Sequence, residues 1–87
     1  MDWLKYVVGD EVYAVFDFPS HTKPTVLMPT LFRARVEDIR YDLAHGMYSV
    51  MVHAHGICYL LPPRRLLSCA EAVAQRLLGK VQQWTTQ

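Results

Sequence analysis

From Glu11 to Phe18 the chain alternates, with Val12, Ala14, Phe16 and Phe18 on one side and Glu11, Tyr13, Val15 and Asp17 on the other. A period of two is that of a strand with one buried face. The same period returns from about Leu31 to Ile39, where Phe32, Ala34 and Val36 turn inward and Arg33, Arg35 and Glu37 outward. Asp38 interrupts the alternation ahead of Ile39, which predicts a bend or bulge. A third strand, Met47 to Ala54, puts Tyr48, Val50, Val52 and Ala54 on one face and Ser49, Met51, His53 and then His55 on the other. Gly56 makes a tight turn into a fourth strand, Ile57 to Leu61, and Pro62-Pro63 stops it.

The connecting segments carry their own signals. Residues 1 to 9 are apolar and aromatic, with Asp2 as N-cap of one short turn through Trp3, Leu4 and Tyr6, after which Gly9-Asp10 punctuates. Pro19, Pro24 and Pro29 exclude a helix or a central strand over residues 19 to 30 and predict a long stiffened loop, with a short extended piece at Val26-Leu27-Met28. Loops of this length in small domains tend to carry function. Residues 41 to 46 read as a turn region closed by Gly46. Ser68-Cys69-Ala70-Glu71 is a capping-box sequence opening a helix. Ala70, Val73, Ala74, Leu77, Leu78, Val81 and Trp84 then recur at helical spacing, opposite Gln75, Arg76, Lys80, Gln82 and Gln83. Within that pattern Gly79 weakens the helix by about 1 kcal/mol relative to Ala, a mark of fraying near its end. The result is a mainly β chain: a small barrel or curled sheet capped by a C-terminal amphipathic helix, in one domain.

Composition narrows the functional classes. The 87 residues are 52% apolar with a formal charge of +1, which excludes a highly charged disordered tail. The same balance argues against a dedicated duplex-DNA binder, whose affinity rests on many cations. No apolar run approaches a bilayer span, and the first five residues lack the basic and apolar regions of a signal peptide. The expectation is a cytoplasmic protein, nuclear if eukaryotic, without membrane contact. A chain this short has a marginal core, so part of its apolar surface is a candidate partner surface. Cys58 and Cys69 read as reduced cysteines packed as small hydrophobes.

Four stretches in order resemble Tudor and Agenet modules. Gly9-Asp10-Glu11-Val12-Tyr13-Ala14 is similar to their opening "G-D-x-V-x-A", and Phe32 to Ile39 to their second strand "Y-R-A-x-V-x-x-I". Tyr48-Ser49-Val50-Met51-Val52 stands where "Y-x-V-x-F" would, with Gly56 at the following glycine. Leu61-Pro62-Pro63-Arg64-Arg65-Leu66 resembles the closing "V-P-x-x-x-L". The resemblance covers residues 9 to 66. It implies an SH3-like (Tudor-like) barrel of four to five strands, with the helix of residues 68 to 84 added. Such modules read methylated lysine or arginine through an aromatic cage. Here the third-strand aromatic position is Val52 and the "D-Y" pair is Ala54 and His55, while Tyr13, Phe16 and Phe32 remain as rings.

On these grounds the expected function is non-catalytic: an adaptor module that recognises a protein or peptide through the Pro-rich first loop and nearby aromatics. The candidate ligand-binding residues are Tyr13, Phe16, Phe32, Tyr48, His55 and Tyr59. One alternative is a weak single-stranded nucleic-acid module using Arg33, Arg35, Arg64 and Arg65, because guanidinium groups stack on bases and pair with phosphate. It gains from a charge asymmetry, −2 over residues 1 to 42 and +3 over 43 to 87. Another is a small oligomeric enzyme with His53 or Tyr59 duplicated at a symmetry axis. Leu78, Val81 and Trp84 on the helix are candidate interface residues, and a homo-oligomer is compatible with them. His53 and His55 at i and i+2, with His45 nearby, are read as solvent-facing rather than as metal ligands. Nucleophile motifs and phosphate loops are absent, so no catalytic residue and no cofactor is assigned.

Overall fold

A computed structural model describes residues 5–84. The expected Asp2-capped turn lies largely outside them. Six strands form one sheet: β1 (Glu11–Pro19), β2 (Leu27–Asp42), β3 (Met47–Ala54), β4 (Ile57–Leu61), β5 (Leu66–Leu67) and β6 (Gln82–Gln83). A 3₁₀ turn at Pro63–Arg65 links β4 to β5, and one helix, α1 (Cys69–Leu77), precedes β6. The order is β4-β3-β2-β1-β5, antiparallel throughout, with β6 added in parallel to β2. Among the described residues β4 and β5 do not pair with each other, so the sheet is curled but not closed.

β2 is the spine. Its first half pairs with β1 from Leu27 to Arg35, and its second half with β3 from Arg35 to Asp42. The expected irregularity lies between Val36 and Asp38, where Glu37 has no partner. One extra residue changes the parity of the inward face. Before it, Phe32, Ala34 and Val36 turn inward; after it, Ile39 stands opposite Val50 and Tyr41 opposite Tyr48. The core gathers Tyr6, Val12, Ala14, Phe32, Ala34, Val36, Val50, Val52, Ala54 and Leu66. The Tyr6 hydroxyl donates to the Leu66 carbonyl at 3.0 Å, and burial pushes its pKa up. Gly9, at φ +97°, lets the preceding turn close, and its N–H donates to the Val36 carbonyl at 2.8 Å.

Several expectations change. The first loop is shorter than the prolines suggested, because β1 runs to Pro19 and β2 begins at Leu27. Ser20 N–H donates to the Val26 carbonyl at 2.8 Å, which sets the alternation of the ladder and leaves Asp17–Pro29 a non-hydrogen-bonded pair. The N–H that proline lacks would therefore point away from β1, so the ladder tolerates it.

The helix ends at Leu77 rather than reaching Trp84. Its capping box forms as expected, with Glu71 N–H donating to Ser68 Oγ at 3.2 Å and Ser68 N–H to Glu71 Oε1 at 3.0 Å. Lys5 Nζ reaches the same Glu71 oxygen at 2.6 Å, and this partner holds the Glu71 carboxyl below its usual range. Gly79 terminates the helix instead of marking frayed continuation: it stands at φ +71°, just past the last helical turn, where glycine is favoured. The chain then returns to the sheet as β6.

The apolar stripe of α1 does not cover the sheet either. Ala72 is buried, whereas Val73, Leu77 and Leu78 are 48%, 83% and 66% exposed. The helix lies against β1 and β5 through its other side. Cys58 and Cys69 are free and exposed, not packed as small hydrophobes. No described helix is long and apolar enough to cross a membrane.

Candidate functional site: an aromatic cleft

The inward faces of β1, β2 and β4 converge on Phe32. Its ring meets Phe16 edge-on at 5.5 Å, Phe18 at 5.0 Å, His55 at 5.8 Å and Trp84, stacked, at 5.2 Å. Phe16 also contacts Tyr59 at 5.2 Å, and His55 contacts Trp84 at 4.3 Å. Between them opens a cleft of about 320 Å³ lined by Phe16, Phe18, Phe32, Ala54, His55, Ile57, Tyr59 and Trp84. Among the described residues no Asp, Glu, Lys or Arg lines it.

The opening follows from cross-strand partners. Phe32 stands opposite Ala14, Phe16 opposite Thr30, and Ile57 opposite Ala54. A large ring facing a small residue leaves volume that the neighbouring strand does not fill. His55 and Gly56 form the two-residue turn between β3 and β4, both with positive φ, +52° and +77°. That is the pattern of a type I′ hairpin. Histidine is among the few residues tolerated there without being glycine, at a cost of about 1 kcal/mol. The turn swings the imidazole toward Trp84.

Trp84 reaches the cleft through β6. Its N–H donates to the Leu31 carbonyl at 2.9 Å. Gln82 Nε2 donates to the Pro19 carbonyl and to Thr30 Oγ1, both at 2.9 Å, while its Oε1 accepts from His21 N–H at 3.0 Å. Gln82 thus ties the C-terminal segment to the start of the first loop. Gln83 Nε2 adds a bond to the Leu31 carbonyl at 3.2 Å. Neither glutamine lies on a helix face, as the periodicity had suggested.

Of the expected ligand-binding residues, the cleft unites Phe16, Phe32, His55 and Tyr59. Tyr13 is excluded because its odd position in β1 faces the opposite side, beside Arg33 and Leu67. Tyr48 is excluded because it pairs with Tyr41 at 4.7 Å, at the far end of β3. Phe18, Ala54, Ile57 and Trp84 are lining residues absent from the expected ligand-binding set. The alternation of β1 marks Phe18, whereas the helical period carries Trp84 along a helix. The Pro-rich first loop, against expectation, contributes none of these lining residues, since Phe18 belongs to β1.

The other candidate groups are dispersed. Arg33 and Arg35 lie on the face of β2 opposite Phe32, and Arg33 is paired with Glu11 at 2.9 Å. Arg64 and Arg65 are exposed on the 3₁₀ turn. His53, opposite Cys58, faces away from the cleft, whereas His55 faces into it, so the two do not share a face. Tyr59 and His53 are likewise on opposite sides. The described residues contain no group of three or more His, Cys, Asp or Glu arranged to hold a metal. Of the expected interface set, Leu78 is exposed, while Val81 and Trp84 are half-buried and Trp84 belongs to the cleft. Compared with family models, curated proteins and solved structures, the chain matches none.

Proposed function

We propose that this protein is a non-catalytic binding module that receives an apolar or aromatic side chain of a protein or peptide partner in the Phe32-centred cleft. The observation that carries the reading is an open cavity of about 320 Å³ walled mainly by rings, with no Asp, Glu, Lys or Arg among its lining residues. Concave apolar sites with few polar groups are the usual form of a ligand pocket. Among the described residues the cleft offers ring faces and edges but no carboxylate, hydroxyl or thiol nucleophile other than the Tyr59 phenol, and no metal-ligand cluster, which favours binding over chemistry. The nucleic-acid alternative is the weaker one, since Arg33 and Arg35 lie on the face away from the rings.

We further infer an SH3-like, Tudor-like relationship for the curled sheet. It is supported by the meander of β1 to β4, by Gly9-Asp10 at the turn before β1, and by a fifth strand at Leu66 returning to β1. In that reading the rings of the cleft stand where a cage would, with Trp84 supplied by the C-terminal segment.

The test is a titration of the full chain with N-acetyltryptophanamide, followed by nuclear magnetic resonance. Shifts confined to Phe16, Phe32, Ala54, His55 and Tyr59 are expected, with a Kd of about 0.1–1 mM for a ligand of this size. Ala54→Leu, which fills the cleft, abolishes them. The absence of cleft shifts, together with shifts at Arg35 and Arg64 on adding oligothymidine, would replace this reading with the nucleic-acid one.

A further inference from the structure

Ile57 and Tyr59 of β4 line the cleft, and the register of that strand fixes which of its backbone groups face outward. A two-residue type I′ turn closes on a hydrogen-bonded pair, here Ala54 and Ile57. Bonding alternates from that pair, so Val52–Tyr59 and Val50–Leu61 are also bonded pairs. Ile57, Tyr59 and Leu61 therefore direct their N–H and C=O groups to β3. Cys58 and Leu60 direct theirs to the other side, where no described strand pairs with them.

Several features keep this edge receptive. The stretch Ile-Cys-Tyr-Leu-Leu holds no proline, lysine or bulge, the devices that usually block an edge strand. Ile57 and Leu60 are 53% and 52% exposed, and Cys58 is exposed as well. Side chains alternate across β4, so Ile57 and Tyr59 line the cleft while the outward backbone groups belong to their neighbours. A strand laid along β4 would place the residue opposite Tyr59 on the cleft side. The backbone edge and the side-chain cavity are in register with each other.

We propose that the partner is an extended, uncharged peptide segment that adds to β4 as an antiparallel strand and inserts one aromatic or branched apolar side chain into the cleft. This rests on the cleft being a binding site, and it adds the mode of recognition. Strand addition supplies affinity from main-chain bonds and specificity from the pocketed residue. The occupant is uncharged because neither β4 nor the cleft walls offer a carboxylate, lysine or arginine to pair with a buried charge. Antiparallel addition continues the pairing of β3 with β4. In it the residues before and after the inserted one exchange N–H and C=O bonds with Leu60 and Cys58, while the inserted residue's own N–H points away.

The probe is the blocked peptide acetyl-Ser-Val-Trp-Val-Ser-amide, titrated into the full chain by calorimetry. N-methylation of either valine amide is expected to weaken binding by about tenfold or more, since a bonded N–H is lost and a methyl obstructs the edge. N-methylation of the tryptophan amide leaves binding within about twofold. Leu60→Pro removes an N–H that the native ladder does not use. It is expected to reproduce the loss for the peptide while N-acetyltryptophanamide still titrates the cleft. Equal tolerance of all three methylated peptides overturns strand addition and leaves the cleft reading intact; failure of both probes overturns both. Sensitivity at the tryptophan amide alone overturns the antiparallel register. A dimer by light scattering that Leu60→Pro converts to monomer assigns the edge to a second copy and overturns the peptide. If Leu60→Pro does not fold, the methylated peptides on the native chain decide.

Discussion

The inward face of the sheet carries two aromatic clusters of different character. At one end Tyr41 and Tyr48 stand directly opposite each other on β2 and β3, with ring centroids 4.7 Å apart. At the other end Phe16, Phe18, Phe32 and Tyr59 each face a smaller or more flexible cross-strand partner, and the space between them stays open. Ring against ring closes a surface and contributes a local pair interaction of about 0.5–1.5 kcal/mol. Ring against alanine or threonine makes a wall. Aromatic content alone therefore does not mark a binding site; what distinguishes the two ends is the residue directly across the ladder.

The largest expected effect breaks the open end. Phe32 is 7% exposed and joins Phe16, Phe18, His55 and Trp84, so Phe32→Ala removes the centre of the cluster. It is expected to destabilise the fold by about 3–5 kcal/mol in urea titration and to abolish binding of N-acetyltryptophanamide. A loss below about 1 kcal/mol would mean that the rings line the cleft without supporting the fold.

Next in size is insertion of one alanine between Asp38 and Ile39, which flips the parity of β2 beyond the bulge. Ile39 and Tyr41 would then turn to the outward face and Arg40 to the inward one. A loss of about 3 kcal/mol is expected, with collapse of the Tyr41–Tyr48 contact in nuclear Overhauser spectra. Survival of that contact would show that the strand absorbs the extra residue in a wider bulge. Tyr48→Ala sharpens the comparison from the closed end: a loss of about 1 kcal/mol in urea, with cleft binding unchanged. A large loss of binding in this variant would contradict the independence of the two ends.

The two ends also differ in how far local sequence describes them. The β3–β4 hairpin and the position of the bulge were readable because turn chemistry and alternation act over a few residues. The capping box at Ser68 and Glu71 was readable for the same reason. The fate of Trp84 was not, because its contact with Phe32 joins residues far apart in the chain, through β6 and the clamp made by Gln82. A helical period ran unbroken through Gly79, and only the C-terminal preference of glycine signalled the stop. The stripe of Val73 and Leu77 correctly marked a helix, but a hydrophobic period does not say which side meets the sheet.

The smallest effect separates the ends by acid. Lys5 holds the Glu71 carboxyl below its ordinary value of 4.5, and the Asp42 carboxyl, bonded to His45 and to the N–H of Ala44, lies below its ordinary 3.8. For a carboxylate whose folded pKa is depressed, the stabilisation is present above the unfolded value and is lost as pH falls through the folded one. Acid therefore weakens the start of α1 below about pH 4.5 and the 43–46 turn below about pH 3.8. The Glu71 contribution is under about 1 kcal/mol, because both partners of its ion pair are more than a third exposed to solvent. The consequence for the cleft is specific to Glu71, since α1 leads through Gly79 to β6 and Trp84. With Trp3→Phe as background, the fluorescence of Trp84 is expected to shift to the red below pH 4.5 in the parent and to lose that pH dependence in Glu71→Gln. Asp42→Asn leaves the Trp84 transition in place and removes only the response of the 43–46 turn. A Trp84 transition that follows Asp42 instead would join the two ends into one acid-sensitive unit.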